Sequence, residues 1–572
     1  MKLEQLLEQV EQSESGPGVA AIFDFDGTII AGYSATVFLR DELSRGELSP
    51  GELLHMTQAL TSFGLGNMGF SALMAVHAQY MAGRSEKAYI ANSEALFKKS
   101  IARLIFPETR ALIEAHQAKG HSVAIVSSAT PYQVETAARD LGIDAVYCTR
   151  LEIKRGKFTG KVITPTVFGD GKVDAAADFA AKTGADLDSS FFYSDSIDDI
   201  QLLERVGRPV VLNGRKRLRT VARERRWPSA DFDSRGSVSV SRFLRSVAAT
   251  TSVVTSFAAG LPIYALTGSK RDSLNFSLSL FADTASALIG LELDIEGEEY
   301  LWSHRPAVFM FNHQSKVDVA VMASLVRRDV VGVGKKEIKK MPLIGSVMEM
   351  AGTTLIDRSN AQAAIDSMKP LIRAMREEGK SLVISPEGTR TPTRKLAPFK
   401  KGPFHIAIQA GVPVVPVVIF NAGDIAPKGD FVFRRGTVRV RVLPPIDTSG
   451  WRAETIEQHV AEVRRQFLDA LGQAGQPAAK TDAKQPAAKT DAKKPKTKTK
   501  TKTKAKSKAK VHAKTPAKKK AAAASKTARK RPAAKRASTA AGRSKVATKT
   551  AASTRSRQRT APKVKPKLRP EP

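Results

Sequence analysis

Ala21-Ile22-Phe23-Asp24-Phe25-Asp26-Gly27-Thr28 is the stretch of sequence that decides the fold of the N-terminal half. The apolar residues before Asp24 have the composition of a buried strand, and Gly27-Thr28 is typical of a tight turn. Both carboxylates therefore fall at the C-terminal end of a strand, which is where an open α/β sheet binds its ligands. A bare Asp-x-Asp pair is common, so this context carries the prediction.

Further polar groups follow along the same half of the chain. Ser127 and Asp195 each follow an apolar run, Lys172 lies in a Gly-rich segment, and Asp199 comes four residues after Asp195. Apolar runs that alternate with helical patterns predict a parallel α/β sheet, whose strand ends bring such groups together. Converging carboxylates repel one another unless a cation lies among them. Mg²⁺, which prefers oxygen ligands, is the ion expected there.

These motifs, in this order, resemble those of the haloacid dehalogenase superfamily of phosphatases, in particular its phosphoserine-phosphatase-like branch. The resemblance implies a Rossmann-like domain over residues 19–235 with a helical cap over about 32–105. It makes Asp24 the nucleophile that forms an aspartyl-phosphate and Asp26 the general acid and base. It further implies that Ser127 and Lys172 bind the phosphoryl group and that Mg²⁺ is bound by Asp24, Asp26, Asp195 and Asp199.

One position departs from that family's pattern. Phosphoserine phosphatases carry a substrate-binding Glu shortly after the Asp pair, whereas this chain has Tyr33. The chemistry is unaffected, but the substrate stays open between a small molecule such as phosphoserine and a lipid phosphate.

A second motif, Asn312-His313-Gln314-Ser315-Lys316-Val317-Asp318, follows the apolar run 307–311. A His five residues before an Asp is frequent by chance, but the end of a strand is where catalytic groups gather. Helical spacing lets Asp318 turn back to fix the tautomer of the His313 imidazole. Downstream, Arg358 follows another apolar run, and the segment Ser385-Pro386-Glu387-Gly388-Thr389-Arg390 supplies a Gly turn and a second guanidinium. Arg side chains are suited to bidentate phosphate contacts.

These blocks resemble the glycerolipid acyltransferases, specifically the 1-acylglycerol-3-phosphate acyltransferases. The resemblance implies that His313 is the general base and that Asp318 orients it. It also implies that the glycerol phosphate is bound by Arg358, Glu387, Gly388 and Arg390. The implied acceptor is lysophosphatidic acid, the donor is acyl-CoA or acyl carrier protein, and no cofactor is needed in this half.

An uncharged run of 24 residues, Ser246 to Ser269, precedes this second half, and a weakly polar run follows it. Its length allows a single membrane span, a helical pair embedded in or lying on a membrane, or a buried soluble helix. Several Ser and Thr residues lower its hydropathy. Related acyltransferases use a helical pair in one leaflet, so the resemblance favours a membrane-associated segment over 246–293.

The C-terminal 472–572 segment is rich in Lys, Ala and Pro, and we expect it to be disordered because it lacks large apolar residues. Lys and Arg number 33 from residue 471 onwards against three acids, so most of the formal net charge of +35 lies there. Such a tail binds polyanions, either an anionic membrane surface, which we favour, or nucleic acid.

The sequence therefore predicts an α/β protein made of an N-terminal extension (1–18), a phosphatase domain, the helical segment, an acyltransferase domain (294–471) and the tail. We expect a bacterial enzyme of phospholipid biosynthesis at the cytoplasmic face of the inner membrane. The competing hypothesis is a polyanion-binding protein in which the tail carries the function and the phosphatase domain is only a scaffold.

Overall fold

A computed structural model of the chain describes residues 1–236, 238–341, 343–356 and 368–474. Arg358 and the predicted disordered tail beyond residue 474 lie outside the described residues. The described residues belong to one compact unit that contains two large sheets. The predicted α/β class, with a Rossmann-like first domain and a second α/β domain, is confirmed.

The first sheet has six parallel strands in the order β3-β2-β1-β6-β7-β8. Its central strand β1 is buried along its whole length because helices cover both faces. Ala21 and Phe23 face the layer formed by α1, α6 and α7, whereas Ala20 and Ile22 face the layer formed by α8, α9 and α10. The strands and these helices are β1 (Ala20–Phe23), β2 (Ser122–Ser127), β3 (Ala145–Cys148), β6 (Phe191–Ser194), β7 (Arg208–Leu212), β8 (Ser229–Ala230), α1 (Leu3–Glu11), α6 (Pro107–Ala118), α7 (Pro131–Leu141), α8 (Asp170–Thr183), α9 (Ile200–Arg205) and α10 (Lys216–Glu224).

A helical cap is inserted between β1 and α6. It consists of α2 (Ser34–Arg45), α3 (Pro50–Gly64), α4 (Phe70–Met81) and α5 (Glu86–Leu96), followed by single π and 3-10 turns. A two-stranded ribbon, β4 (Leu151–Lys154) and β5 (Lys157–Val162), packs against α4. The amide of Ala31 donates to the carbonyl of Leu104 at 2.9 Å, so the two ends of the cap meet beside the first strand.

Three helices connect the two halves: α11 (Val240–Ala259), α12 (Leu261–Thr267) and α13 (Lys270–Ile289). Helix α11 packs along α13, and the contact is close at Gly260. A Cβ at Gly260 would lie 2.1 Å from Ser277 Oγ, so only glycine allows this approach. In the described part of the chain, one stretch, Val240–Thr267, is long and apolar enough to cross a membrane. Of its apolar 18-residue part, 39% is buried in the protein.

The second sheet has seven strands in the order β12-β11-β13-β10-β14-β15-β9, with β15 antiparallel to β14. In β10, Val308 and Met310 face α17, α18 and α20, while Phe309 and Phe311 face α13 and α15. The elements are β9 (Leu291–Glu296), α14 (Tyr300–Ser303), β10 (Val308–Phe311), α15 (Asp318–Val326), β11 (Val330–Lys335), α16 (Ile344–Met350), β12 (Thr354–Ile356), α17 (Lys369–Glu377), β13 (Ser381–Ile384), α18 (Gly402–Ala410), β14 (Val414–Ile419), α19 (Ala422–Ile425), β15 (Gly436–Val442) and α20 (Ile456–Ala470).

Candidate active sites

The first candidate site lies at the C-terminal ends of β1, β2 and β6. Strand β1 pairs with β2 on one side and with β6 on the other, so Asp24, Ser127 and Asp195 come from neighbouring strand ends. The Asp24 amide donates to the carbonyl of Tyr193 at 2.9 Å and continues the ladder up to the site. The structure therefore brings together three polar groups that are far apart in the sequence.

Lys172 lies at the centre of this site and is buried. Its Nζ donates to Asp24 Oδ1 and to Asp199 Oδ2, both at 2.8 Å. Ser194 Oγ donates to the same Asp199 oxygen at 2.6 Å. A buried ammonium needs paired carboxylates of this kind, and one cation bridging two acids holds both in fixed positions.

Asp195 is packed against the turn that follows Asp26. Gly27 has a φ of +78°, and a Cβ at this position would lie 2.3 Å from Asp195 Oδ2. Only glycine can therefore occupy the turn without displacing the carboxylate. Burial, together with the charges of Asp24 and Asp199, raises the pKa of Asp195 to about 8.

The carboxylates suit a hard divalent cation. Burial also raises the pKa of Asp24 to about 6 despite the opposing charge of Lys172. Mg²⁺ typically takes one or two carboxylates together with waters and substrate phosphate, which Asp24 and Asp195 could provide. No group of three or more His, Cys, Asp or Glu side chains suited to a metal is found in the described ranges. The four-residue metal set stays a prediction.

Asp26 is held in a different environment. Its two oxygens accept from the amide of Ser34 at 2.7 Å and from Ser34 Oγ at 3.0 Å, and Gln133 donates to that hydroxyl at 3.1 Å. Burial raises the pKa of Asp26 to about 7, with a smaller contribution from the charge of Asp24. A carboxyl group with such a pKa can carry or release a proton near neutral pH, as general acid–base catalysis requires.

Two residues at the rim of this site were not predicted from the sequence. Arg215 lies over the ring of Tyr33, with its guanidinium carbon 5.3 Å from the centroid, and donates a hydrogen bond to the Tyr33 hydroxyl. Asn213 donates from Nδ2 to the carbonyl of Gly27 at 2.9 Å. Both follow β7, so the rule that ligand groups lie after parallel strands could have found them.

The second candidate site follows β10 and β13 of the other sheet. His313 Nδ1 lies 2.6 Å from Asp318 Oδ2, which also accepts from the amides of Gln314 and Ser315. Asp318 is fully buried. An ionised carboxylate can only accept, so Nδ1 carries the hydrogen and Nε2 keeps its lone pair. The imidazole is thus set up as a base.

Glu387 supports the loop that carries His313. Its Oε1 accepts from the amide of His313 at 2.6 Å, and its Oε2 accepts from the amide of Ala397 at 2.9 Å. Burial raises the pKa of Glu387 to about 7. The observed contacts of this predicted substrate-binding side chain are therefore with the backbone of the site.

Arg390 has an unsatisfied donor. Within the described part of the chain, its buried Nη1 has no hydrogen-bond partner. Lys316 and Lys428 lie near enough that, together with burial, the charge of Arg390 lowers the pKa of both. The sequence analysis had singled out neither lysine. Asp430 and Glu387 favour the charged forms of Lys316 and Lys428, respectively, and a group of three cations suits an anion such as a phosphate monoester.

A cavity of about 820 Å³ extends from His313 and Asp318 into the protein. Its walls are mostly apolar, with side chains from the sheet, from α15 and from the connecting helices. The connecting helices contribute Val253, Phe257, Leu274, Leu278 and Phe281. Gly388 lines the same cavity, so the structure places this predicted substrate-binding residue beside the dyad.

The two sites define a two-domain enzyme, an α/β acyltransferase joined to a hydrolase domain. The family model described as haloacid dehalogenase-like hydrolase matches residues 21–204, and the model described as acyltransferase matches 292–420. A 1-acyl-sn-glycerol-3-phosphate acyltransferase of Limnanthes alba is 35% identical over 195 residues, which cover 34% of this chain and 69% of the relative. One from Saccharomyces cerevisiae is 34% identical over 204 residues, 35% of this chain and 67% of the relative.

This chain belongs to the family of 1-acyl-sn-glycerol-3-phosphate acyltransferases. The resemblance of the first half to the haloacid dehalogenase superfamily and that of the second half to these acyltransferases are confirmed. Among solved structures, a phosphoserine phosphatase described as a phospho-aspartyl intermediate analogue matches with 18% identity and a TM-score of 0.30, covering 39% of this chain and 95% of the other.

Proposed function

We propose that the C-terminal domain acylates the free hydroxyl of lysophosphatidic acid to give phosphatidic acid. The observation that carries this proposal is the His313–Asp318 dyad at an apolar cavity large enough for an acyl chain. The cationic group at Arg390 would take the phosphate monoester of the acceptor. The donor is an acyl thioester, either acyl-CoA or acyl carrier protein.

The reaction requires one proton to pass from the acceptor hydroxyl to His313 and then to the leaving thiolate. His313 Nε2 takes the proton from the acceptor hydroxyl while the oxygen of that hydroxyl attacks the thioester carbonyl. Asp318 stabilises the imidazolium that forms. The tetrahedral intermediate then expels the thiolate, which receives the proton from Nε2. An ester has formed and a thioester has broken, with no change in oxidation state.

For the N-terminal domain we propose phosphate monoester hydrolysis. Asp24 attacks phosphorus to form an aspartyl-phosphate, and Asp26 gives its proton to the leaving alcohol. Asp26 then takes a proton from the water that hydrolyses this intermediate. Ser127 and Lys172 hold phosphoryl oxygens. Asp24 and Asp195 would hold Mg²⁺, which would supply charge neutralisation for the phosphate. Lipid phosphate and phosphoserine both remain candidate substrates.

We further propose that the enzyme works at the cytoplasmic face of a bacterial inner membrane. Several apolar side chains of the connecting helices are exposed, among them Val240, Leu244, Leu261 and Leu266. Burial of such side chains at a lipid interface is favourable. The basic tail would add attraction to anionic lipids, and nucleic acid is the alternative partner.

One pair of variants in the full-length protein tests both activities. His313→Ala should abolish conversion of lysophosphatidic acid and acyl-CoA to phosphatidic acid, by roughly 1000-fold or more, and leave phosphate release intact. Asp24→Asn should do the reverse. The exposed His304 and Asp198 offer controls, His304→Ala and Asp198→Asn, that should keep both activities. Full acyl transfer by His313→Ala would refute the assignment.

The phosphatase substrate requires a separate measurement. Phosphate release should be compared for phosphoserine, lysophosphatidic acid and phosphatidic acid, with and without Mg²⁺. Loss of release on chelation supports the metal site. If Asp24→Asn keeps full release, the proposed nucleophile is wrong.

A further inference from the structure

Arg394 joins the two domains at one point. Its Nη1 lies 2.9 Å from Glu114 Oε1 on α6 of the phosphatase domain, and its Nη2 lies 2.6 Å from Asp424 Oδ2 of the acyltransferase domain. Burial disfavours the charged guanidinium, but Asp424 and Glu114 favour it, and the net effect raises the pKa of Arg394. The side chain thus remains a cation that bridges two carboxylates from different domains.

Further hydrogen bonds join the phosphatase domain to the parts of the acyltransferase domain near Arg394 and Asp424. Lys395 Nζ donates to the carbonyl of Arg139 at 3.0 Å. Arg103 Nη1 donates to the carbonyl of Gly429 at 3.5 Å, and Arg235, from the connection after β8, donates to the carbonyl of Asp424 at 3.1 Å. The contacts converge on two segments: residues 390–395, through Arg394 and Lys395, and residues 424–429.

Both segments are in turn bonded to the loop that carries His313. The amide of Thr391 donates to the carbonyl of His313 at 2.8 Å. Ser315 Oγ donates to the carbonyl of Ala426 at 2.6 Å. Arg390 and Lys428, two members of the cationic group, lie within these segments. These hydrogen bonds, joined by the short stretches of chain within the two segments, connect α6 of the phosphatase domain to the acyltransferase site.

We infer that the phosphatase domain holds the phosphate-binding segments of the acyltransferase site in place. Glu114 of the phosphatase domain and Arg394 of the acyltransferase domain are the positioning residues. This inference rests on the proposed acyl transfer to lysophosphatidic acid. Glu114 touches no substrate and acts only through Arg394. Its removal leaves Arg394 paired with Asp424 but leaves segment 390–395 without its ion pair to the phosphatase domain.

The predicted effect is on acceptor binding more than on chemistry. Glu387 should keep its bond to the amide of His313 when Glu114 is changed, so the dyad should stay in place. Arg390 and Lys428 lose part of their support, and small misplacements of binding groups are costly. Glu114→Gln should raise the KM for lysophosphatidic acid about fivefold and change kcat by less than about twofold.

The matched control is Glu204→Gln in the full-length protein. Glu204 also pairs with an arginine, Arg225, but within the phosphatase domain and away from the interface. It should leave the KM unchanged, and both variants should release phosphate at the wild-type rate. Glu114→Asp should restore part of the lost affinity because it keeps the negative charge.

Hydrogen exchange supplies a second measurement that does not depend on activity. The amides of Thr391 and Ala397 should exchange faster in Glu114→Gln than in Glu204→Gln. Equal exchange in both variants would overturn the positioning role, as would an unchanged KM in an active Glu114→Gln enzyme. If the wild type transfers no acyl group but these amides exchange faster in Glu114→Gln, the proposed function fails and the interdomain support stands.

Discussion

In each candidate site, one buried carboxylate oxygen accepts hydrogen bonds from several neighbouring groups. Asp318 Oδ2 faces His313 Nδ1 and two backbone amides, and Asp199 Oδ2 accepts from Lys172 and Ser194. Each such oxygen accepts several hydrogen bonds that hold its partners in fixed positions, while the other oxygen of Asp318, Oδ1, is buried without a hydrogen-bond partner among the described residues. Removing one member leaves an uncompensated charge or donor, which is why substitutions here are costly.

Gly27→Ala tests the close approach of the first turn to Asp195. A Cβ at Gly27 would overlap the Asp195 carboxylate, so phosphate release should fall by about 100-fold or more while acyl transfer persists. Gly32→Ala is the matched control because Gly32 also has a left-handed φ, +83°, but has no neighbour within 4 Å. Phosphate release by the two variants should be compared. Equal losses would mean that backbone strain, and not the carboxylate, is responsible.

A buried chain of neutral side chains predicts acid sensitivity of the phosphatase domain. His121 Nε2 lies 2.7 Å from the carbonyl of Glu14, so its Nδ1 accepts from His116 Nδ1, and His116 Nε2 accepts from the Tyr193 hydroxyl. Burial lowers the pKa of His116 to about 3, from 6.5. The unfolded chain therefore binds the proton first, and stability is lost as the pH falls below about 6.5.

Between pH 7 and pH 5 the free energy of unfolding should drop by about 2 kcal/mol through His116. Urea unfolding of the wild type and of His116→Phe at both pH values measures this drop, which should be smaller in the variant. His55→Phe, at an exposed cap position, should behave like the wild type. An equal pH dependence in His116→Phe would contradict the assignment.

At the scale of elements, the connecting helices differ in their surroundings. Val253 and Phe257 of α11 and Phe281 of α13 belong to the core of the acyltransferase domain and line its cavity. The short helix α12 between them exposes Leu261 and Leu266, the latter 84% exposed. The sequence left three interpretations of this segment. The structure shows α11 and α13 packed on the domain, and association with a membrane stays a proposal.

Leu261→Ser with Leu266→Ser should weaken binding to lipid vesicles by about tenfold or more, because two exposed apolar side chains no longer enter the interface. Vesicle sedimentation measures the partition coefficient. Leu60→Ser with Leu65→Ser, two exposed leucines of the cap, is the matched control and should bind as the wild type does. An equal loss in both variants would contradict the role of the connecting helices.

At the scale of the whole molecule, the positive charge and the two candidate sites lie in different parts of the chain. Nearly all of the net positive charge lies in the C-terminal tail, whereas both candidate sites lie before residue 471. A basic tail that lacks large apolar residues can bind a polyanion through its charge alone. This organisation favours a targeting role for the tail over the hypothesis that the domains are only a scaffold.

Removal of residues 476–572 should weaken binding to anionic vesicles by about tenfold or more at physiological salt, with little effect on neutral vesicles. Acyl transfer assayed in detergent should not change. Binding of duplex DNA should be measured in parallel. Unchanged vesicle binding together with lost DNA binding would support the nucleic-acid alternative and refute the lipid role.

The rule that ligand groups follow the C-terminal ends of parallel strands predicted much of both sites from the sequence. Asp24, Ser127, Lys172 and Asp195 were predicted in one group because parallel strands end at one edge of a sheet, and the structure brings them together. Arg215 follows β7, so the same rule could have found it. Lys428 was missed because it belongs to no motif, and its position depends on how separate loops pack.

The sequence by itself determined the two α/β domains and the His313–Asp318 pairing, because strand periodicity and a short spacing fix them locally, and the order of the motifs indicated which carboxylates join Asp24. Only the tertiary structure decided that the connecting helices line the cavity beside His313 and that Glu114 reaches Arg394 across the domain interface. Contacts across that interface join residues up to 326 positions apart, and they form only when complete surfaces pack against each other.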